Sequence, residues 1–149
     1  MTTMLSAAPT AAEMADRYRK INGLYSTEAT ADDKIVLRVG AVTGIRILQS
    51  LADPVRAELA RQSLRTPTIT YPRTRAVMFL VNATPGENGW DNTFFRYSVA
   101  RTKDGATIAL PGPGDTVRTW LDAPQDHWRV DFDTLAHITN EAASTRCGG

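Results

Sequence analysis

The chain has 149 residues, 42% hydrophobic and 22% charged, proportions that suit one globular domain with its own core and exclude a disordered tail. A formal net charge of +1 creates no whole-molecule field, so nucleic acid can be held only by a local basic patch. Cys147 is the only cysteine, which rules out an intramolecular disulfide and a cysteine-rich zinc site. No apolar run approaches the roughly 20 residues that span a bilayer. The first residues, MTTMLSAAPTAAEM, lack the charged and apolar regions of a secretory signal, so the expectation is a cytoplasmic protein without a membrane partner. Lysine occurs only at Lys20, Lys34 and Lys103, and arginine supplies the other cations. That bias fits either GC-rich codon usage or anion recognition by planar guanidinium groups.

Residues 1–9 read as a flexible arm. Thr10 and Glu13 form a capping box that opens a helix to about Ile21, with Met14, Tyr18 and Ile21 on its apolar stripe. Asn22-Gly23 ends it, since glycine takes the left-handed conformation of a C-cap. Residues 26–33 read as a solvated loop, because Glu28, Asp32 and Asp33 are too sparse for a hard-metal loop. Residues 35–39 form a short β-branched strand. Gly40 and Gly44 then flank a turn into a helix carrying Val42, Ile45, Ile47, Leu48 and Leu51. The GAVTG segment lacks both the dinucleotide fingerprint and the lysine of a P-loop, so it reads as a tight turn. Asp53 and Pro54 open a second helix as N-cap and first-turn proline. Val55, Leu59 and Leu64 supply its buried side and Arg56, Arg61 and Arg65 its polar side. Arg61 and Arg65, spaced i, i+4, either solvate the helix or grip phosphates.

After Pro67, residues 68–71 and 76–81 read as strands. The second, AVMFLV, is unbroken apolar and therefore expected at the middle of the sheet. The following loop, TPGENGWDN, sets Glu87 and Asp91 beside Trp90, as either ordinary turn chemistry around a docked tryptophan or a ligand loop. Residues 93–100 alternate enough for a strand with Phe95, Tyr97 and Val99 on its buried face. Lys103-Asp104-Gly105 turns it into a hairpin with residues 107–110. A stiff Pro111-Gly112-Pro113-Gly114-Asp115 loop leads to a strand over 117–121, and residues 128–130 form a short packed piece. Asp131 or Asp133 caps a last helix to about Ser144, with Leu135, Ile138 and Ala142 inward, and residues 146–149 form a flexible tail. The sum is an α+β protein: one domain over residues 10–145, a small, mostly antiparallel sheet, helices at both ends and a central helical pair.

Several constellations bear on chemistry. Asp131 and Asp133 would aim two carboxylates to one side in a strand, the geometry that holds Mg²⁺, but before a helix they read as capping residues. His127 and His137 are the only histidines. A metal site would need Asp126, Asp131 or Asp133 as further ligand, and no HExxH spacing is present. There is no Gly-x-Ser-x-Gly elbow, and Cys147 has no local base to activate it. The terminal Gly148-Gly149 resembles the ends of sulfur carriers, though those domains are about half this length, and a disordered terminus is the plainer reading. The prolines of the Pro-Gly loop lack the N–H groups that cradle phosphate. Trp120 and Trp128, near Arg96, Arg118 and Arg129, either stack nucleobases or close the core. The binding face to test is therefore Trp90, Arg96, Arg118, Trp120 and Arg129, with no cofactor called for.

Four strings in order add a likeness: Gly44-Ile45-Arg46-Ile47-Leu48, YPRTRAVMFLV over residues 71–81, IALPGPGD over 108–115, and Arg118-Thr119-Trp120 with Pro124. Over about residues 35–130 the chain resembles the short actinobacterial proteins grouped with the N-terminal domain of bifunctional DNA primase/polymerases. That resemblance implies an α+β domain in a nucleic-acid context. It does not bring catalysis with it, since an active member needs a strand-borne acidic pair, and AVMFLV and ATIALP carry no acid. The expectation is a non-enzymatic binding or regulatory module with a nucleic-acid or protein partner. The alternatives are a metal-dependent enzyme using Asp131, Asp133 and His137, or a partner-binding subunit of an oligomer.

Overall fold

A computed structural model of the chain describes residues 9–84 and 87–148, without the side chains at 87, 88 and 146–148. The arm expected over residues 1–9 lies outside that set except for Pro9, as do Gly149 and the side chains of Glu87 and Cys147. The expected α+β class is what the chain forms, as one small domain of helices and antiparallel sheets.

Helix α1 (Ala11–Lys20) starts on the predicted capping box, with Glu13 N–H donating to Thr10 Oγ1 at 3.1 Å and Thr10 N–H to Glu13 Oε1 at 2.9 Å. Its buried face is Ala11, Ala15 and Tyr18, which shares only Tyr18 with the expected stripe; Met14 is half-buried and Ile21 is exposed. Gly23 (φ +65°) lets Leu24 N–H reach back to Tyr18 O at 3.0 Å, closing the helix as expected. The polar stretch expected as a loop holds strand β1 (Thr27–Ala29), which pairs antiparallel with β2 (Ile35–Arg38).

The first substantial correction is β3 (Val42–Leu48), a seven-residue strand where a helix was expected. Its apolar residues satisfy both a helical and an alternating pattern, and partners decide between them: β3 pairs along its whole length with β5 (Ala76–Asn82). Gly44 is no helix boundary. A Cβ there would stand 2.5 Å from Met78 Sδ and 2.8 Å from Ile108 Cδ1, so glycine allows two sheets to approach. The central helical pair thus becomes β3 and one helix, α2 (Gln49–Arg61), and Pro54 lies inside α2 instead of opening it. Asp53 is therefore not an N-cap; that position belongs to Leu48, which makes no side-chain cap.

The two expected strands form, β4 (Thr68–Tyr71) pairing antiparallel with β5, and β5 is the expected middle strand. Residues 93–100 are the second correction. After a 3₁₀ turn at Glu87–Trp90 they enter α3 (Asp91–Arg96), which buries Phe94 and leaves Phe95 87% exposed. A row of aromatics mimicked strand alternation, while Trp90 stacking on Phe94 at 6.3 Å favours the helical turn. The strand survives only as β6 (Ala100–Arg101), paired with β3. The turn at residues 103–105 consequently joins two sheets instead of making a hairpin, because β7 (Thr107–Leu110) pairs with β2. Strand β8 (Thr119–Asp122) lies against β4, and α4 (Phe132–Gly148) runs on past its expected end near Ser144.

The strand orders are β1-β2-β7 and β6-β3-β5-β4-β8. The larger sheet is the middle layer. Ile45, Ile47, Val77, Phe79 and Val81 pack with the buried residues of α2, α3 and α4 on one side. Ile69, Met78 and Leu80 pack with α1 and the smaller sheet on the other. Each fully buried side chain of this size contributes roughly 1.5–3 kcal/mol.

Candidate functional site: a groove along the central helix

Helix α2 packs on β3, β5 and α4, and its C-terminal half shares a cavity with Thr68 of β4 and Asp122 of β8. Alternation decides which residues of β4 and β8 lie on that side, Thr68 being buried and Asp122 half-buried. Ile69 and its neighbour Trp120 turn to the α1 side, so Thr68 and Thr70, with their partners Asp122 and Thr119, lie on the α2 side. The helix stops at Arg61, and Ser63, at φ +58°, turns the chain towards β4. Thr66 and Thr68 fasten this corner: Thr66 Oγ1 donates to Leu80 O and Thr68 Oγ1 to Thr66 O, the latter at 3.0 Å.

The result is a row of neighbouring cavities with lining residues in common, called the groove below. One of 710 Å³ lies beside Gln49, Asp53, Thr74 and Arg75. Asp53 also borders the next, again 710 Å³, which passes Arg56, Ala57, Ala60 and Leu64 over Thr68 and Asp122. Ser63, Arg65, Thr66 and Asp122 then border a slot of 210 Å³ that ends at Trp128, itself 52% exposed. Trp128 borders a fourth cavity of 310 Å³ with Asn82, Arg129 and Asp131. The side chains of Arg56, Arg65 and Arg75, and those of Asp53 and Asp122, make no ion pair or hydrogen bond with another described residue. Arg61 is different. It is paired with Glu58, whose carboxyl its hydrogen bonds hold at about 2. Arg65 lies beyond the helix end, so the expected i, i+4 pair of Arg61 and Arg65 on one helix face does not form.

The five residues expected to make a binding face are not brought together. Trp90 belongs to the α3/α4 side, where its indole N–H donates to Asp133 Oδ1 at 3.0 Å and its ring meets His137 edge-on at 4.7 Å. Arg96 is exposed at the end of α3. Trp120 is on the opposite face of the sheet, donating its indole N–H to the Tyr18 hydroxyl at 2.9 Å, while Tyr18 donates to Pro111 O at 3.0 Å. Arg118 is tied to Asp115 at 2.9 Å, and Asp115 also accepts the amides of Val117 and Arg118. Arg129 borders the groove but is anchored by Asn82 Oδ1 at 3.0 Å and Asn22 O at 2.8 Å, and burial lowers its pKa. For the metal alternative, His137 Nε2 lies 3.5 Å from Asp133 Oδ2, the carboxylate that also serves Trp90. Among the described residues no group of three or more histidine, cysteine or carboxylate side chains is placed to hold a metal, so Asp131 does not complete that set.

No protein family, curated protein or solved structure matches this chain. Among the described residues no helix is long and apolar enough to cross a membrane. The groove residues absent from the expected face include Arg56, Arg65, Arg75, Asp53, Asp122 and Trp128. Asp53 was hidden by its resemblance to a helix cap. Trp128 carried a signal, since it stands beside arginine and acid in a segment with little secondary structure.

Proposed function

We propose that the chain is a non-catalytic binding module that takes single-stranded nucleic acid along the α2 groove. The observation that carries this reading is the row of adjoining cavities, bordered by Arg75, Arg56 and Arg65, whose side chains have no partner among the described residues, and by the half-exposed ring of Trp128. Spaced guanidinium groups fit a phosphate backbone, and an exposed aromatic face stacks a base without regard to sequence. Asp53 and Asp122 offset part of the positive charge, so affinity is modest and falls with salt. Three phosphate contacts to a single strand give a log–log salt slope of about −2. The likeness to primase/polymerase N-terminal domains points to the same class of ligand, and the apolar β5 and β7 supply no acidic pair for polymerisation. Cytoplasmic residence goes with this reading.

Fluorescence anisotropy of a labelled thymine oligomer tests it. Saturable binding at low salt that weakens as salt rises supports the reading, and no binding at low salt ends it.

A further inference from the structure

Resting on that reading, we propose that the slot between residues 63–67 and 122–128 is a base-recognition subsite selective for guanine. Its 210 Å³ lies below the roughly 300–1,000 Å³ of sites for drug-sized ligands, so it suits a single ring system and not a whole nucleotide. Trp128 borders the slot and is half-exposed, which leaves an aromatic face for stacking. Its backbone N–H donates to Asp126 Oδ1 at 2.8 Å, so one of the two acids near the ring is already engaged in holding the loop.

The other acid, Asp122, is half-buried and has no partner among the described residues. It is held by β8 opposite Thr68 and borders both the slot and the wider groove. A carboxylate offers two acceptor oxygens and no donor. Among the bases only guanine presents two adjacent donors, N1–H and the N2 amine, on its pairing edge. Adenine and cytosine each set a donor beside an acceptor, and thymine flanks its single N–H with two carbonyls. A lone-pair clash therefore disfavours those three at Asp122, whereas guanine can donate twice. Arg65, unpaired at the mouth of the slot, supplies a phosphate contact for the nucleotide whose base enters.

The experiment uses the full chain and thymine oligomers carrying one central guanine, adenine, cytosine or hypoxanthine. The guanine oligomer should bind about tenfold more tightly than the other three, about 1.4 kcal/mol, the scale of one good bidentate base contact. Hypoxanthine keeps the N1–H and lacks the N2 amine, so loss of the advantage there needs no altered protein. Asp122→Asn, which replaces one acceptor by a donor, should abolish the preference; because it also removes a negative charge from the groove, all the oligomers should bind more tightly, and the readout is the ratio of guanine-oligomer to all-thymine affinity falling to about one. Equal binding of all the oligomers overturns the guanine slot and leaves the groove standing. So does a guanine preference that survives in hypoxanthine or in Asp122→Asn. Binding of none of them removes both.

Discussion

Trp120 donates its indole N–H to the Tyr18 hydroxyl at 2.9 Å, and the two rings meet edge-on with centroids 5.8 Å apart. The contact joins β8 to α1 across 102 residues of sequence and continues to Pro111 O through the Tyr18 hydroxyl. It makes Trp120 a pin between layers and not an open stacking platform. Tyr18→Phe removes the shared hydroxyl and leaves an indole N–H and a carbonyl without their partner, at a cost of about 1–3 kcal/mol. In urea the unfolding midpoint should fall with an unchanged slope, and oligonucleotide affinity should not move. A variant as stable as the parent would show that this chain of hydrogen bonds does not hold the layers.

Gly44 sets how closely the two sheets can lie. The nearest obstacles to a side chain there are the ends of Met78 and Ile108, which can shift only within a packed core. Gly44→Ala should therefore destabilise by about 1–3 kcal/mol, the scale of an overpacked core, and Gly44→Val by more. Thermal unfolding of the two variants checks the order. Equal stability of Gly44→Ala and the parent would mean that the layers have slack at this point.

Glu58 gives a pH-dependent readout of the exposed ion pair near the end of α2. The Arg61 guanidinium and the Gln62 amide hold its carboxyl at about 2, below its ordinary 4.5. Since the folded value is the lower one, the pair favours folding above the ordinary value, and that contribution fades as pH falls towards about 2. The pair is exposed, so added salt should weaken it. Carboxyl NMR of Arg61→Ala should show Glu58 titrating closer to its ordinary range, with Gln62 retaining part of the shift. An unmoved titration would assign the effect to Gln62 alone.

Local chemistry was the most legible part of this chain. The capping box at Thr10 and Glu13, the left-handed Gly23 and the buried run of β5 are each determined within a few residues, and each is where the sequence places it. Residues 42–48 and 93–100 were misread for the same reason: their apolar spacing fits two periods, and distant partners choose. Val42–Leu48 becomes a strand because β5 and β6 flank it, and Asp91–Arg96 becomes a helix because Trp90 and Phe94 stack. The binding face suffered from a related limit. Arginines and tryptophans can be found in a sequence, but which of them already have partners cannot. Arg118, Arg129, Trp90 and Trp120 prove to be committed to Asp115, Asn82, Asp133 and Tyr18, and the unpaired Arg56, Arg65 and Arg75 meet only through the packing of α2 against the sheet.

The most direct test of the groove is the salt dependence of thymine-oligomer binding in the parent and in Arg56→Glu with Arg65→Glu. The groove account predicts a log–log slope of about −2 in the parent, shrinking by about 0.7 for each arginine lost, with affinity falling at least tenfold at low salt. The same double change should leave the unfolding midpoint nearly untouched, because neither side chain has a partner to lose among the described residues. A parent and double variant with the same affinity and the same salt slope would contradict the account.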